Sequence, residues 1–271
     1  MKEFTTDAVI LRETPYKESD RILTVLTPQR GLITVGAKGV RNIHSKNSAA
    51  VQLFCYSELE ILQTGSRHTL RTATLKNAFF GLREELDRYA LACYASDAAA
   101  HFCMEENDET EPFRLILNLL YALSETKEKP LWLLKAAYEL KLCSVCGFMP
   151  DLYACTVCGR QTEDESAHDK AFLNGGKYTF SLMESGLVCG DCTARMKSTP
   201  DGRPETKAYT LVLSRPALDA ARYVASAPVS RFLSFRLAEN NAFDFCEACE
   251  NYLLFLAERR FDTLKYYKSL T

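Results

Sequence analysis

Along the first eighty residues, apolar positions come in short runs separated by turn formers. The segments Asp7–Leu11, Arg21–Thr27, Leu32–Ala37, Val51–Leu62 and His68–Leu75 predict five β-strands. Ile22-Leu23-Thr24-Val25-Leu26-Thr27 and Leu32-Ile33-Thr34-Val35 are rich in β-branched residues, and Pro28-Gln29-Arg30-Gly31 between them predicts a hairpin loop. Gly36 and Gly39 flank Lys38 and mark a bend or bulge. Five such strands fit a small β-barrel of the OB type, whose face binds single strands. From Asn77 the period becomes helical: Phe79-Phe80, Leu82, Leu86, Tyr89-Ala90, Cys93-Tyr94 and Ala98 recur at helix spacing. Phe113–Leu123 and Pro130–Leu142 predict two further helices, with Pro112 suited to a first turn. The end of the chain is helical again, over Tyr209–Ala225 in part, Arg231–Leu237 and Ala242–Tyr267.

Between the helical blocks, span 148–205 lacks a period and is rich in turn formers, including Asn174-Gly175-Gly176, Ser185-Gly186 and Thr199-Pro200-Asp201-Gly202. It reads as an insertion of loops and short strands. The expected fold class is therefore α+β and multidomain. An OB-fold β-barrel spans 1–80, an α-helical body spans 81–147 and 206–271, and a zinc-ribbon-like insertion spans 148–205. The acidic run Glu105–Glu111 reads as a solvated loop.

Composition adds little until it is divided. Over 271 residues, 47% are apolar and 25% charged, which excludes disorder and collagen-like or fibrous architectures. A net charge of −2 argues against a nucleic-acid binder. Residues 1–80, however, hold 11 basic and 7 acidic residues, and the rest hold 22 and 28. Between Arg21 and Ser57 there is no Asp or Glu at all. A barrel with cations on one face neutralises phosphates without sequence preference. The candidates for DNA contact are Arg12, Arg21, Arg30, Lys38, Arg41 and Lys46, with Arg67 and Arg71 behind them. Phe54 and Tyr56 are nominees for base stacking, although at i, i+2 they fit an inward core face equally well. No run approaches the roughly 18 apolar residues of a membrane span. The first residues carry acids where a signal peptide has its apolar core, so the expected location is the cytoplasm.

Eleven cysteines are many for that compartment and direct attention to metal. Four Cys-x-x-Cys pairs occur: Cys143/Cys146, Cys155/Cys158, Cys189/Cys192 and Cys246/Cys249. A two-residue gap lets both thiolates of a tight turn reach one zinc, and two such turns complete a tetrahedron. Cys155, Cys158, Cys189 and Cys192 are the expected ligands of one structural zinc ion (Zn2+), with Gly159 reversing the chain after the second ligand. Cys143/Cys146 and Cys246/Cys249 lie on predicted helices, where i and i+3 share a face. Buried thiols explain them, while a second zinc between them, or a mixed site of Cys143/Cys146 with Cys155/Cys158, remains open. His168 can replace a ligand but reads better as a polar loop residue. A closed four-thiolate site has no position for substrate, and phosphate-loop, nucleophile-elbow, zincin-helix and zinc-deaminase motifs are absent. No enzyme is expected.

The chain resembles the RecO family of bacterial recombination mediators. The likeness is carried by Ala8-Val-Ile-Leu-Arg12, Tyr16-Lys-Glu-Ser-Asp-Arg21, Leu26-Thr27, Gly31-Leu-Ile, Lys38-Gly39 and Ser45-Lys46. It continues in Glu139-Leu-Lys-Leu, Gly147-Phe-Met-Pro150-Asp-Leu, Cys155-Thr-Val-Cys158-Gly159, Phe180-Ser181, Gly186-Leu-Val-Cys189, Leu264-Lys265 and Ser269-Leu270. These matches are collinear over nearly the whole length. The resemblance implies binding of single- and double-stranded DNA, strand annealing, and partnership with RecR. It further implies contact with the C-terminal tail of single-strand-binding protein (SSB), and RecA loading onto coated strands at the nucleoid. Asn42-Ile43-His44 interrupts a basic run that is usually denser in the family, and Cys146 stands where members often carry an apolar helix residue.

Near the C-terminus, Tyr252, Phe255, Phe261, Tyr266 and Tyr267 follow helical spacing beside Arg259, Arg260, Lys265 and Lys268. They read as core, or as an apolar pocket with a basic rim suited to an acidic tail. The expected function is a non-enzymatic DNA-binding mediator of repair and recombination. A zinc-ribbon protein-interaction or transcription adaptor is the alternative.

Overall fold

Alternation of inward and outward residues builds the N-terminal strands. In β3 (Gly31–Ala37), Ile33, Val35 and Ala37 are buried while Thr34 is exposed. The computed structural model describes every residue except Lys127, 163–172, 175–176 and 198–208. The described residues form two compact units: Met1–Leu131 with Arg260–Thr271, and Trp132–Arg259. These units group elements by packing, whereas the sequence segments group them by pattern. The first two helices belong with the barrel, and the third belongs with the cysteine-bearing sheet.

In the first unit, β1 (Lys2–Tyr16), β2 (Asp20–Thr27), β3, β4 (Tyr56–Thr64) and β5 (Arg67–Asn77) close into a barrel in the order β1-β2-β3-β5-β4. The parallel pairs Val35↔His68 and Gly36↔Thr69 make the closure. Ala8, Ile10, Leu23, Val25, Ile33, Val35, Leu59 and Ile61 fill the interior. Each large aliphatic chain so buried stabilises the fold by about 1.5–3 kcal/mol. The long apolar run expected from Val51 to Leu62 begins its strand only at Tyr56. Residues 51–55 form turns, because Phe54 takes a left-handed conformation (φ 70°) and its N–H donates to Ile10 O at 2.9 Å. Segment 38–55 plugs one end of the barrel with Val40, Val51 and Cys55.

Helices α1 (Leu86–Phe102), α2 (Thr110–Glu125) and α7 (Asp262–Lys268) complete this unit. Buried Arg88 donates to Leu123 O and Thr126 O, satisfying carbonyls that α2 leaves open at its end. The acidic run is exposed at Glu105, Glu106, Asp108 and Glu111, as expected, but it is anchored at one buried residue. Glu109 is buried, its carboxylate accepts from Met104 N–H and Asn107, and the segment is strapped to the β2–β3 turn. Leu32 N donates to Met104 O at 2.9 Å, Glu106 N to Arg30 O at 3.1 Å and Glu109 N to Pro28 O at 2.8 Å.

The second unit holds α3 (Leu131–Val145), α5 (Arg215–Ser226) and α6 (Ala242–Ala257) around a five-stranded sheet. The sheet contains β6 (Asp151–Cys155), β7 (Leu173–Asn174), β8 (Lys177–Ser181), β9 (Gly186–Val188) and β10 (Thr210–Leu213). A short helix, α4 (Gly190–Lys197), follows β9. Helix α3 is buried on all sides, and Lys135 in it is held between Glu139 (2.8 Å) and Glu250 (2.7 Å). Burial opposes the charge on Lys135, but the two carboxylates outweigh it and raise its pKa.

Two expected helices take other forms. Within Arg231–Leu237 only a 3-10 turn, Val229–Arg231, reaches in, and Phe232 and Phe235 are buried from irregular chain. The run Ala242–Tyr267 breaks at Glu258 (φ 50°), so α6 and α7 are separate helices assigned to different units. No helix among the described residues is long and apolar enough to cross a membrane.

Gly31 is where the strap comes closest. It has φ +60°, and a Cβ there would lie 2.0 Å from Met104 O, whereas Gly65 has the same φ and open space. Gly31→Ala is expected to cost more than about 2 kcal/mol, against about 1 kcal/mol for Gly65→Ala, because only the first adds a backbone clash to left-handed strain. Urea unfolding of both variants checks this, and equal losses would show that the strap does not press on the turn.

Candidate nucleic-acid interface and cysteine centre

Barrel topology separates the candidate cations. The β1–β2 turn and the segment after β3 lie at the plugged end and are laced together. Arg41 N donates to Ser19 O (2.9 Å), its guanidinium to Lys17 O (3.3 Å), and Gly39 N to the Asp20 carboxylate (2.8 Å). The side chain of Asn47 continues the lacing to β5, donating to Arg71 O and accepting from Ala73 N. Lys38, Arg41 and Lys46 are thus carried outward on a segment whose Val40, Val51 and Cys55 turn into the barrel. All three are exposed, and none forms an ion pair among the described residues. Lys17, exposed in the β1–β2 turn at φ 54°, joins them. Its sequence signal was weak, because Glu18 beside it masks the local surplus.

The other candidates lie elsewhere. Arg12 pairs with Asp97 of α1 at 3.0 Å, Arg21 is half-buried against Glu13 at 2.9 Å, and Arg71 pairs with Glu3. Arg30 sits at the opposite end of β3, its guanidinium 3.9 Å above the Phe4 ring. Arg67 is exposed at the start of β5. Neither stacking nominee is available as an open platform. Phe54 is wholly buried against Tyr89, and half-buried Tyr56 meets Phe113 while its hydroxyl donates to Asp7.

The cysteines divide by environment. The ligand atoms of Cys155, Cys158, Cys189 and Cys192 all lie within 4.8 Å of one another. Two knuckles present them. Gly159 (φ +74°) reverses the first, its N–H donating to Cys155 O at 2.8 Å. The second leads into α4, so Cys192 lies in a helical first turn rather than the plain turn expected, and burial raises its thiol. Thr156 N bonds Leu187 O (2.9 Å), and Arg160 pairs with Asp191 (2.9 Å), clamping one knuckle to the other. Burial opposes ionisation of Cys155, yet N–H groups of Cys189, Cys158 and Val157 outweigh it and lower the thiol to about 7. Burial drives Cys189 up to about 12. Four sulfurs so crowded cannot all ionise without a cation between them, and the set can hold a metal ion.

Arg222 locks this module to α5. Its guanidinium donates to Leu152 O (2.9 Å) and stacks 4.8 Å from the Tyr153 ring centre. By contrast, the helical pairs do not assemble into a ligand set among the described residues. Cys143 and Cys249 are buried, and burial raises both thiols well above their ordinary value, with Cys246 raised to about 11. They are core thiols. His168 lies outside the described residues. The aromatics near the C-terminus are mostly core as well. Tyr252, Phe261 and Tyr267 are buried, and among them only Tyr266 is openly exposed, with Phe255 half-buried.

Because the thiolate is the reactive form, Cys143 and Cys249 are expected to resist alkylation in the native chain. Cys158, exposed at the first knuckle, is expected to react promptly once a chelator is added. Mass spectrometry of alkylated peptides reads this out, and early labelling of Cys249 would contradict the core assignment.

Comparison with known proteins agrees along the whole chain. Residues 1–79 match the family model described as Recombination protein O N terminal, and residues 83–264 match Recombination protein O C terminal. The chain is 26% identical over 270 residues to the DNA repair protein RecO of Acetivibrio thermocellus, covering 100% of this chain and 98% of that protein. It is 28% identical to the DNA repair protein RecO of Symbiobacterium thermophilum, with the same coverage. Over 202 residues it is 34% identical to a DNA repair protein RecO of Dehalococcoides mccartyi, covering 74% of this chain and 73% of that protein. The two family models between them take in the barrel, the helices and the cysteine-bearing sheet, and the chain belongs to the RecO family.

Proposed function

We infer that this chain is a non-enzymatic DNA-repair mediator of the bacterial cytoplasm, whose barrel tracks the phosphates of single- and double-stranded DNA. The observation that carries the reading is the laced end of the barrel. There Lys17, Lys38, Arg41 and Lys46 project from backbone that is hydrogen-bonded in place, with no carboxylate partner among the described residues. Held cations displace counterions without ordering a loop first. Family membership supports the rest of the assignment: strand annealing, cooperation with RecR, contact with the SSB C-terminal tail, and delivery of RecA to coated strands. Arg12 and Arg21, each held by a carboxylate, serve at the edge of the path, and Arg30 acts at the far end of the barrel.

The cysteine centre fits one structural zinc ion. A tetrahedral zinc with bonds of about 2.3 Å spaces its sulfurs by about 3.8 Å, and Cys158 Sγ and Cys189 Sγ are 3.8 Å apart. Cys155, Cys158, Cys189 and Cys192 would hold the ion, which would fold the module and leave no position for substrate. A second reading, a zinc-module protein adaptor, draws support from exposed Phe148, Met149, Val157 and Met183 around that sheet.

Salt separates the two readings. Affinity for a single-stranded oligonucleotide is expected to fall steeply with ionic strength. The Lys38, Arg41 and Lys46 triple change to Ala should reduce the log–log slope by about 2. Absence of binding at low salt would leave the adaptor reading. Metal analysis of the purified chain is expected to give one zinc, lost in Cys155→Ser and Cys189→Ser and kept in Cys246→Ser. Retention of zinc in Cys189→Ser would rule out this ligand set.

A further inference from the structure

The other end of the barrel is built differently. The β2–β3 turn, the end of β4, the start of β5 and the strap border a cavity of about 320 Å³ lined by Gln29, Arg30, Ile33, Gln63, His68 and Glu106. That is the lower end of the range in which small organic ligands are held, and barrel mouths are common sites for them. Two of its lining residues, Arg30 and His68, are backed by the Phe4 ring. The Arg30 guanidinium lies over Phe4 at 3.9 Å, and Phe4 and His68 meet edge to face with ring centres 6.0 Å apart. Its rim is polar in both senses, with two side-chain amides and one carboxylate.

This set does not suit a phosphate, because the Glu106 carboxylate faces the same space as Arg30. Nor does it suit an aliphatic side chain, given the amides. It suits a planar heterocycle, which stacks on a guanidinium or aromatic plane and is read along its edge. Glu106 offers two adjacent acceptors. Of the four DNA bases, guanine alone presents two adjacent N–H donors, N1–H and the N2 amino group, on its pairing edge.

We propose that the barrel mouth receives one unstacked base of a single strand and prefers guanine, with Glu106 as the selecting residue and Arg30 over Phe4 as the stacking plane. Glu106 is placed by backbone. Its N–H donates to Arg30 O (3.1 Å), its φ is 55°, and the adjacent Glu105 pairs with Gly31. The strap therefore holds the backbones that carry Glu106 and Arg30 next to each other. Exposed Arg67, next to the mouth at the start of β5, offers a phosphate contact for the same strand. The inference rests on the barrel being a DNA binder, and the test separates the two.

Fluorescence anisotropy on the full chain compares an oligo-dT strand with the same strand carrying one central guanine. Ligand-observed NMR compares deoxyguanosine with thymidine. The guanine strand should bind about tenfold more tightly, deoxyguanosine alone should show contact, and Glu106→Gln should bring the strand ratio to near unity. Gln63→Ala, on a different strand from the strap, should lower the same ratio without touching the Glu106 backbone. Equal binding of both strands with no deoxyguanosine contact would overturn the pocket and leave the DNA reading intact. A guanine preference that survives Glu106→Gln would overturn its assignment to this mouth. Deoxyguanosine contact that depends on Glu106, with neither strand bound at low salt, would support the base site and overturn the DNA reading. Neither contact would overturn both.

Discussion

A five-stranded barrel leaves two open ends, and the way each is closed governs the rest of this unit. At one end, segment 38–55 turns Val40, Val51 and Cys55 inward to complete the apolar interior. The segment has no regular strand or helix, so its polar backbone must find partners elsewhere. It finds them in short turns within itself, in the β1–β2 turn through Arg41 and Gly39, and in β5 through Asn47. The interior packing thereby holds the outward cations. Residues that plug the barrel and residues proposed to meet phosphate share one stretch of chain, so the two sets are positioned together.

The opposite end is closed by a strap rather than a plug. Residues 104–109 bond the β2–β3 turn through three backbone hydrogen bonds, and Gly31 allows the approach because it has no Cβ. Charge follows from this geometry. The acids that a strap of this composition brings, Glu106 above all, stand next to Arg30 and far along β3 from Lys38. The two ends of the barrel therefore carry different groups, cations with no ion pair among the described residues at the plugged end and a mixed set at the mouth.

In the second unit, the same Cys-x-x-Cys spacing has two physical outcomes. At Cys155/Cys158 and Cys189/Cys192 the sulfurs converge; N–H donors lower the Cys155 thiol, burial raises Cys189 and Cys192, and only Cys158 is exposed. At Cys143 and Cys249 the sulfurs are enclosed in apolar helix packing, which favours the neutral thiol. Helix α3 shows the converse for charge. Lys135 and Glu139 are buried where periodicity alone would place them outside, and they are tolerated because each satisfies the other together with Glu250.

Strand and helix types, the acid-free stretch and the cysteine pairs able to hold a metal were legible in the sequence, since each is a local property: alternation, composition or two-residue spacing. Most of what escaped it was set by a distant neighbour. The strand expected from Val51 starts at Tyr56 because Phe54 is bonded to Ile10 across the barrel. The helix run from Ala242 breaks at Glu258, which carries no glycine or proline to announce it. Six cations read as one set separate into free, paired and stacked residues according to whether a carboxylate or a ring from another element reaches them. The sequence by itself determined which chemistry this protein carries, because residue types and their spacing are covalent facts. Which of those groups stand free to act was decided only by the tertiary structure, because charge pairing, burial and backbone lacing depend on residues far apart in the chain.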